Sequence, residues 1–446
     1  MPAGALDTDL YQLTMMAGYD AAALDARATF ELYVRSLPSR RHYLVAAGLH
    51  QALDYLEALR FTPEQREWLR GQPQFAGVAP RFFDETLAGL RFTGDVWAMP
   101  EGTPFFEHEP VLRVSAPLVE AQLVETALLS IINFQTLIAS KAARIVSAAN
   151  GRAVLEFGPR RAHGPEAGVH AAGAAYLAGC AGTSNVEAGH RFGIPVSGTM
   201  AHSWVTTFMD EEEAFRAFAA VFGERAVFLI DTYDTIEAAR KIVRMGLKPL
   251  GVRIDSGDLI ALSQAVRGIL DAGGLRQTQI VASGDLDEWS IAEALGRQAP
   301  IDAFGVGTAL STSRDAPSLG GIYKLVEVQR GGVPVPVMKL SGGKASYPGR
   351  KQVWRRLRSG VAYGDVIGLE DEPGPPDGVP LLAPVLIGGR RVRPPAPLEA
   401  LRASHRAAMS LLPTAVRMLH VVTPYRVARS YKLEALTDSV LQALRE

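Results

Sequence analysis

The sequence contains a single cysteine, Cys180, among its 446 residues. One thiol cannot form an internal disulfide or a zinc site made of several thiolates, and such sparse cysteine is typical of reducing compartments. The amino terminus also lacks the basic region and apolar run of a secretory signal, and it carries Asp7 and Asp9 instead. We therefore expect a cytoplasmic protein in which any bound metal ion is held by oxygen ligands.

The sequence also lacks a large net charge and long hydrophobic runs. The 46 basic and 47 acidic residues nearly cancel, so the net charge of −1 provides no attraction for nucleic acid or an anionic membrane. The most apolar stretch, residues 126–139, contains Asn133 and Gln135 and is shorter than the roughly 20 residues that cross a bilayer. We expect neither nucleic acid nor a membrane as a partner.

Apolar residues make up 48% of the chain, which is enough for a packed core, and the length favours several domains. Short strand-like and helical runs are mixed in residues 1–117, which indicates an α+β amino-terminal domain. Residues 118–150 are predicted to form one long connecting helix, and residues 151–330 an α/β barrel with the active site. The Pro- and Gly-rich residues 331–446 are predicted to return to the first domain.

The barrel prediction rests on short apolar runs that alternate with helical stretches. These runs are AVLEF, IPVSGT, AVFLID, PLGVRID, QIVASGD and DAFGVGT, and the last five start near residues 194, 226, 249, 279 and 302. Their spacing is that of one βα unit, which predicts a parallel sheet and favours a barrel over an open α/β sheet. In both architectures the active site forms at the carboxyl ends of the strands.

The tetrapeptide SGDL follows two of these runs, at residues 256–259 and 283–286. Its Asp or Ser can simply cap the next helix. However, Arg253 and Asp255 precede the first copy, and a buried charge at a strand end needs a partner or a ligand. Gly284 and the helix start behind it would offer backbone N–H groups to a phosphate. We interpret the pair as part of a ligand site.

The run GVGT, Gly305 to Thr308, predicts a tight turn suited to close approach of an anion. It is not a dinucleotide-binding GxGxxG motif, because position 310 is leucine. GGK at 342–344 is not a phosphate-binding P-loop, because Ala345 follows the lysine.

Two further motifs leave their function open. EFGPRR ends the AVLEF run, and Arg160 and Arg161 can bind a phosphate or carboxylate through planar forks, or form surface ion pairs. GTMAHSW contains His202, and a lone histidine can be structural or catalytic.

Together these runs resemble the nicotinate phosphoribosyltransferase family. The matching segments cover most of the chain in the order of the family: TDLYQLTM, EFGPRR, GTSN, GTMAHSW, VRIDSGDL, ASGDLDE, GVGT and PGRKQVWR. The resemblance implies an irregular (β/α) barrel of the type II phosphoribosyltransferase kind with an α+β domain packed on it. It also implies Mg²⁺- and ATP-assisted transfer of phosphoribosyl from 5-phosphoribosyl 1-diphosphate to nicotinate, which gives nicotinate mononucleotide and diphosphate in NAD biosynthesis.

The resemblance assigns roles residue by residue. Tyr11 and Phe157 are expected to sandwich the pyridine ring, with Tyr11 supplied by the other subunit of a homodimer. Thr199 and Arg253 match positions that bind nicotinate. His202 matches a histidine that accepts a phosphoryl group from ATP, and that added charge would reorganise the diphosphate site.

Other positions match phosphate, ribose and metal contacts. Asp255 and Asp285 are the candidates for ribose and Mg²⁺. Ser184 stands where similar nicotinamide-using enzymes have aspartate, which favours the acid as substrate because a hydroxyl can donate to a carboxylate. The expected phosphate-binding turns contain Ser283, Gly284, Gly305, Gly307 and Thr308.

Two alternatives stay open. A nicotinamide phosphoribosyltransferase shares most of these motifs, whereas a quinolinate enzyme would lack the His202 motif. A catalytically silent barrel scaffold is the alternative from another class. A cysteine-rich metal knot found in some relatives is excluded by the single cysteine, and the tail beyond about residue 360 receives no functional prediction.

Overall fold

The computed structural model describes residues 4–340, 346–420 and 424–446; the GGK run at 342–344 lies outside these ranges. The chain divides into two compact units. The first combines Met1–Leu137 with Ser318–Glu446, and the second is Ile138–Pro317. No helix in the described ranges combines the length and apolar character needed to span a membrane.

The strands of the described residues are, in chain order, β1 Arg27–Val34, β2 Leu44–Val45, β3 Asp95–Ala98, β4 Pro104–Phe105, β5 Pro110–Pro117, β6 Ala153–Glu156, β7 Gly182–Thr183, β8 Val227–Leu229, β9 Gly251–Ile254, β10 Gln279–Ala282, β11 Ala303–Val306, β12 Gly321–Arg330, β13 Val333–Pro336, β14 Lys351–Arg358, β15 Val361–Leu369, β16 Gly378–Pro380, β17 Ala383–Ile387, β18 Arg390–Arg391 and β19 Val427–Arg429.

The α-helices of the same ranges are α1 Leu10–Ala21, α2 Leu49–Ala58, α3 Pro63–Arg70, α4 Leu87–Gly89, α5 Leu118–Leu123, α6 Glu125–Ala148, α7 Pro165–Leu177, α8 Val186–Phe192, α9 His202–Thr207, α10 Glu211–Phe222, α11 Thr235–Arg244, α12 Leu259–Ala272, α13 Glu288–Gly296, α14 Thr308–Ser311, α15 Leu398–Leu411, α16 Thr414–Arg417 and α17 Tyr431–Ala443.

The second unit is built on a six-stranded sheet in the order β7-β6-β11-β10-β9-β8. Every pairing in it is parallel. The edge strands β7 and β8 do not pair with each other within the described ranges, so the sheet is a curled half-barrel. The predicted mixed α/β class with a barrel-like parallel sheet is confirmed.

Helices follow these strands through short turns, and aspartate caps three of them. The side chains of Asp234, Asp258 and Asp287 accept hydrogen bonds from the first backbone N–H groups of α11, α12 and α13. Such caps satisfy donors that have no partner within the helix. In the first SGDL copy the aspartate is therefore a helix cap, whereas in the second copy the cap is Asp287, the residue directly after the motif.

The predicted continuous helix over 118–150 is wrong, because the structure has α5 and α6 with an interruption at Val124. Two hydroxyl groups from elsewhere in the first unit donate hydrogen bonds to backbone carbonyls near Val124. Tyr323 donates to the Ala121 carbonyl at 2.9 Å, and Thr8 donates to the Leu123 carbonyl at 3.1 Å. A side chain that inserts into the backbone hydrogen-bond ladder of a helix is a recognised cause of helix breaks.

The predicted strand IPVSGT is reduced to one bridge between Thr183 and Val196. Pro195 has no N–H to donate to a ladder, which limits pairing there.

The predicted boundary at residue 330 also differs from the structure. Strand β12 pairs with β1 in the seven-stranded sheet of the first unit, whose order is β13-β12-β1-β5-β3-β17-β18. The second compact unit accordingly ends at Pro317. Pairing between residues so far apart in sequence leaves no local signal of which unit a strand joins.

Candidate active site

The carboxyl edge of the half-barrel gathers the predicted site residues of the second unit. All six strands are parallel, so the residues that follow them lie along one edge. Each strand end is occupied by a polar residue, an aromatic ring or a glycine. Directly after the strands, or within two residues of them, come Phe157, Ser184, Asp231, Asp255, Ser283 and Gly307.

Arg253 in β9 carries a guanidinium that is available to a ligand. Its Nε is buried and has no hydrogen-bond partner within the described residues. Burial lowers the pKa of Arg253, and the nearby Arg160 acts in the same direction, whereas Asp255 and Asp231 oppose the shift. Since an arginine remains charged at any physiological pH, this side chain offers a cation to an anionic substrate group.

Asp231 connects the ends of two neighbouring strands. Its Oδ2 accepts the backbone N–H of Asp255 at 3.1 Å and the hydroxyl of Ser256 at 2.5 Å. The hydroxyl of Ser283 in turn donates to Asp255 Oδ1. The other oxygen of Asp231, Oδ1, is buried without a partner in the described ranges. Sequence reasoning missed Asp231, although it ends the AVFLID run.

The turn after β10 depends on Gly284. Its φ is +93°, and a Cβ there would lie far inside van der Waals contact with the Asp255 carbonyl oxygen. Asp285 follows with a φ of +47°. Both residues are exposed, and backbone N–H groups in tight turns of this kind can bind anions. The turn is therefore a candidate site for a phosphate group.

The GVGT run is not one tight turn. Gly305 lies inside β11, where a Cβ would collide with the ring of Phe157, so this glycine makes room for the ring. The Phe157 N–H donates to the Val306 carbonyl at 2.8 Å, which fixes the ring beside β11. The turn itself begins at Gly307, the N-terminal cap position of the short helix that starts at Thr308.

Glu156 is a second residue that sequence reasoning missed. Its carboxylate is buried and accepts the Gly158 N–H at 2.5 Å and the Thr183 hydroxyl at 2.6 Å. Burial raises the pKa of Glu156, while these two donors oppose the shift. Its carbonyl also accepts the Ser184 N–H at 2.9 Å. Glu156 thus couples the turn after β6 to the residue after β7.

His202 is the first residue of α9 and is exposed. Its Nδ1 lies 3.2 Å from Oγ1 of Thr232, which follows β8. Thr199 lies nearby in sequence, and its hydroxyl donates to the Met200 carbonyl at 3.2 Å.

Arg160 and Arg161 form an exposed 3₁₀ turn, Pro159–Arg161, directly beyond Phe157.

Tyr11 belongs to the first unit, on α1, with 48% of its surface exposed. Partial burial raises the pKa of its hydroxyl, and the negative charges of Glu125 and Asp9 add to the shift. The ring is therefore accessible to another molecule.

No group of three or more His, Cys, Asp or Glu side chains is arranged to enclose a metal ion within the ranges that the structure covers. Magnesium needs no such cage, because it is usually held by one or two carboxylates together with substrate phosphates and water. Asp255 and Asp285 follow the neighbouring strands β9 and β10, and one or two such carboxylates meet this requirement.

Comparison with known proteins identifies the family. Residues 6–133 match the family model for the nicotinate phosphoribosyltransferase N-terminal domain, and residues 153–339 match that for the nicotinate phosphoribosyltransferase family. The chain belongs to the nicotinate phosphoribosyltransferase family. It is an enzyme of that kind, and the resemblance inferred from the motifs is confirmed.

Individual relatives of the family agree over most of the chain. A nicotinate phosphoribosyltransferase from Mycobacterium tuberculosis is 48% identical over 93% of this chain and 89% of its own length. One from Bacillus subtilis is 44% identical over 82% and 76%. The crystal structure of human nicotinic acid phosphoribosyltransferase superposes with a TM-score of 0.82 at 30% identity, covering 97% of this chain and 99% of the human chain.

Proposed function

We propose that this chain transfers the phosphoribosyl group of 5-phosphoribosyl 1-diphosphate to nicotinate, with assistance from ATP. The products are nicotinate mononucleotide and diphosphate, and the reaction serves NAD synthesis in the cytoplasm. The observation that supports this proposal is Arg253 near the end of β9, with its buried Nε unpartnered among the described residues, on the same sheet edge as the turns at Gly284 and Gly307. A site for two anions and an aromatic ring fits these substrates.

The chemistry requires orientation more than acid–base catalysis. The ring nitrogen of nicotinate is already a nucleophile, and the bond from the ribosyl carbon to diphosphate breaks through a cation-like state. In this proposal Phe157 offers a ring face for stacking, while Arg253 and Thr199 bind the carboxylate of nicotinate. Stacking and a cation at the carboxylate hold the nitrogen in line with the ribosyl carbon.

The phosphate groups fit the two turns of the edge. Backbone N–H groups at Gly284, and at the start of α14 beside Gly307 and Thr308, would receive them. Arg160 and Arg161 are exposed next to Phe157 and add positive charge there.

Asp255 and Asp285 would hold Mg²⁺, which neutralises charge on the departing diphosphate when it is bound. The Asp231 carboxylate fixes the backbone of Asp255 and Ser256, and the Ser283 hydroxyl orients the Asp255 carboxylate. These contacts hold Asp255 in place at the strand-end edge.

His202 is the proposed acceptor of a phosphoryl group from ATP. The hydroxyl of Thr232 lies within hydrogen-bond distance of Nδ1 and restrains the imidazole ring. A phosphorylated His202 would add about two negative charges close to the strand-end edge and change its affinity for diphosphate.

Product analysis tests the proposed function. The purified enzyme is incubated with 5-phosphoribosyl 1-diphosphate and with nicotinate, nicotinamide or quinolinate, each with and without ATP. We expect nicotinate mononucleotide as the main product and faster formation with ATP. Preferential use of nicotinamide would support the alternative base, and no product from any base would support a silent scaffold.

Base selectivity is expected to depend on Ser184. An aspartate there would repel the carboxylate of nicotinate at close range, so Ser184→Asp should lower kcat/KM for nicotinate by at least about tenfold, or 1.4 kcal/mol. Ser184→Asn is the matched control, because it has the size of aspartate without its charge. Kinetics with both bases measure the effect; nicotinate kinetics of Ser184→Asp that equal those of Ser184→Asn would contradict the charge argument.

We also propose a homodimer in which Tyr11 of each subunit completes the site of the other. Tyr11→Ala and Arg253→Ala chains should each be weakly active alone. Mixed by refolding, they should recover about a quarter of wild-type activity, because half of the dimers are mixed and each of these has one intact site. Activity of the mixture is compared with the two homodimers. If mixed dimers form and recover nothing, the shared site is wrong.

A further inference from the structure

A cluster of charged side chains is buried in the second unit below the strand-end edge. The Nζ of Lys141 on α6 lies 2.6 Å from Glu288 Oε2 and 2.8 Å from Asp315 Oδ1. Lys141 and Glu288 expose only 2% and 1% of their side chains. Arg144, one turn further along α6, contacts the other Glu288 oxygen at 3.1 Å and lies over the ring of Trp289.

Glu288 connects this cluster to the turn after β10. It is the first residue of α13, three positions beyond Asp285. The cap residue Asp287 accepts the Trp289 and Ser290 N–H groups at 3.0 and 2.9 Å, which holds the turn and the helix start as one piece. A shift of Glu288 would therefore move the turn at Gly284.

Asp315 connects the same lysine to the turn after β11. It ends a turn that follows α14. The Thr312 hydroxyl donates to the Thr308 carbonyl at 2.7 Å, and the Arg314 N–H donates to the Ala309 carbonyl at 3.1 Å. These hydrogen bonds make the segment from Thr308 to Asp315 compact. A displacement of Asp315 would therefore also displace Thr308.

The ammonium group of Lys141 thus contacts Glu288, which supports the turn after β10, and Asp315, which supports the turn after β11. Both turns are candidates for binding phosphate. We propose that Lys141 is a positioning residue that sets the separation of these two turns, and through it the affinity for 5-phosphoribosyl 1-diphosphate. This inference rests on the proposed function, because it assumes that the two turns bind the phosphates of this substrate.

Energetics favour a positional role over a purely stabilising one. Removing an ammonium and a carboxylate from water costs several kcal/mol for each ion, so a buried ion pair contributes little more to stability than well-packed apolar side chains. An apolar residue on α6 would fill the same space. The ammonium group, by contrast, attracts both carboxylates at once and thereby fixes where two separate turns lie.

Steady-state kinetics of Asp315→Asn and Lys141→Met test the proposal. Asp315→Asn removes the negative charge that pairs with Lys141 at the turn after β11, and Asp315 is 28% exposed, so folding should be preserved. We expect its KM for 5-phosphoribosyl 1-diphosphate to rise about tenfold, with that for nicotinate changed less than about twofold. Lys141→Met should have at least as large an effect, and it leaves Glu288 paired with Arg144.

The double variant separates positioning from unrelated damage. If Asp315 acts through Lys141, adding Asp315→Asn to Lys141→Met should raise the KM no further. Glu293→Gln, which alters an exposed ion pair with Arg297 on the same helix α13, is the control and should match the wild type. Melting temperatures are recorded for all variants, and calorimetric titration with 5-phosphoribosyl 1-diphosphate gives the affinity without turnover.

Several results would overturn the proposal. They are an unchanged affinity for 5-phosphoribosyl 1-diphosphate in folded Asp315→Asn, a parallel rise in KM for both substrates, or additive effects in the double variant. If Lys141→Met does not fold, Asp315→Asn alone decides. A failure of the proposed function would be visible beforehand, in a wild-type enzyme that neither binds 5-phosphoribosyl 1-diphosphate nor forms nicotinate mononucleotide.

Discussion

Replacement of His202 by alanine is expected to abolish transfer of the γ-phosphate of ATP to the protein. The imidazole is exposed at the start of α9, and its Nδ1 is restrained by the Thr232 hydroxyl. Removing the ring removes the nitrogen that we propose as the phosphoryl acceptor. His202→Ala should therefore show no acid-labile label from γ-labelled ATP and no stimulation of nicotinate mononucleotide formation by ATP.

The basal reaction without ATP should persist in this variant, because the strand-end residues proposed to bind nicotinate and 5-phosphoribosyl 1-diphosphate are unchanged. His190→Ala provides the control: His190 is also exposed and lies on α8, outside the proposed site. It should be labelled and stimulated like the wild type. Equal labelling of His202→Ala and His190→Ala would refute the assignment.

Gly284→Ala is expected to damage the enzyme more than any other single methyl group added to this edge. The residue has a φ of +93°, which is strained for alanine, and the added Cβ would collide with the Asp255 carbonyl oxygen. A backbone atom cannot move aside as a flexible side chain can. The turn must therefore shift, and both the phosphate-binding N–H groups and Asp255 should shift with it.

We expect Gly284→Ala to lower the free energy of unfolding by about 2 kcal/mol or more, and kcat/KM for 5-phosphoribosyl 1-diphosphate by about a hundredfold. Denaturant unfolding and steady-state kinetics measure the two effects. Gly296→Ala is the matched control, since Gly296 ends α13 without a positive φ and nothing lies within 4 Å of its added Cβ. That control should keep full activity. A Gly284→Ala enzyme with wild-type stability and kinetics would show that the turn is not constrained as described.

The candidate site was predicted from sequence where local pattern was sufficient. Apolar runs ending in Asp, Ser or Gly marked the strand ends, and the structure places Asp255, Ser283 and Gly284 directly after β9 and β10. Local pattern failed for Glu156 and Asp231, because what distinguishes them is hydrogen bonds to Thr183 and to Ser256 on neighbouring strand ends. Those neighbours depend on strand order, which a single sequence does not display.

The predicted turn at GVGT also shows that a single sequence does not reveal which strands are neighbours. A glycine beside an apolar run suggested close approach of an anion, whereas the structure shows Gly305 inside β11 with the ring of Phe157 against it. The glycine is required by a neighbouring aromatic ring and not by a turn. The ring of Phe157 lies beside Gly305 because β6, the strand before Phe157, pairs with β11.

The sequence by itself determined the family, the alternation of strands and helices in the second unit, and the residue types at most strand ends. Tertiary structure alone decided that β6 lies between β7 and β11, that β12 joins the sheet of the first unit, and that Lys141 meets both Glu288 and Asp315. The reason is physical. Hydrophobic periodicity and turn chemistry act over a few residues, whereas strand order and the pairing of buried charges depend on contacts between segments far apart in the chain.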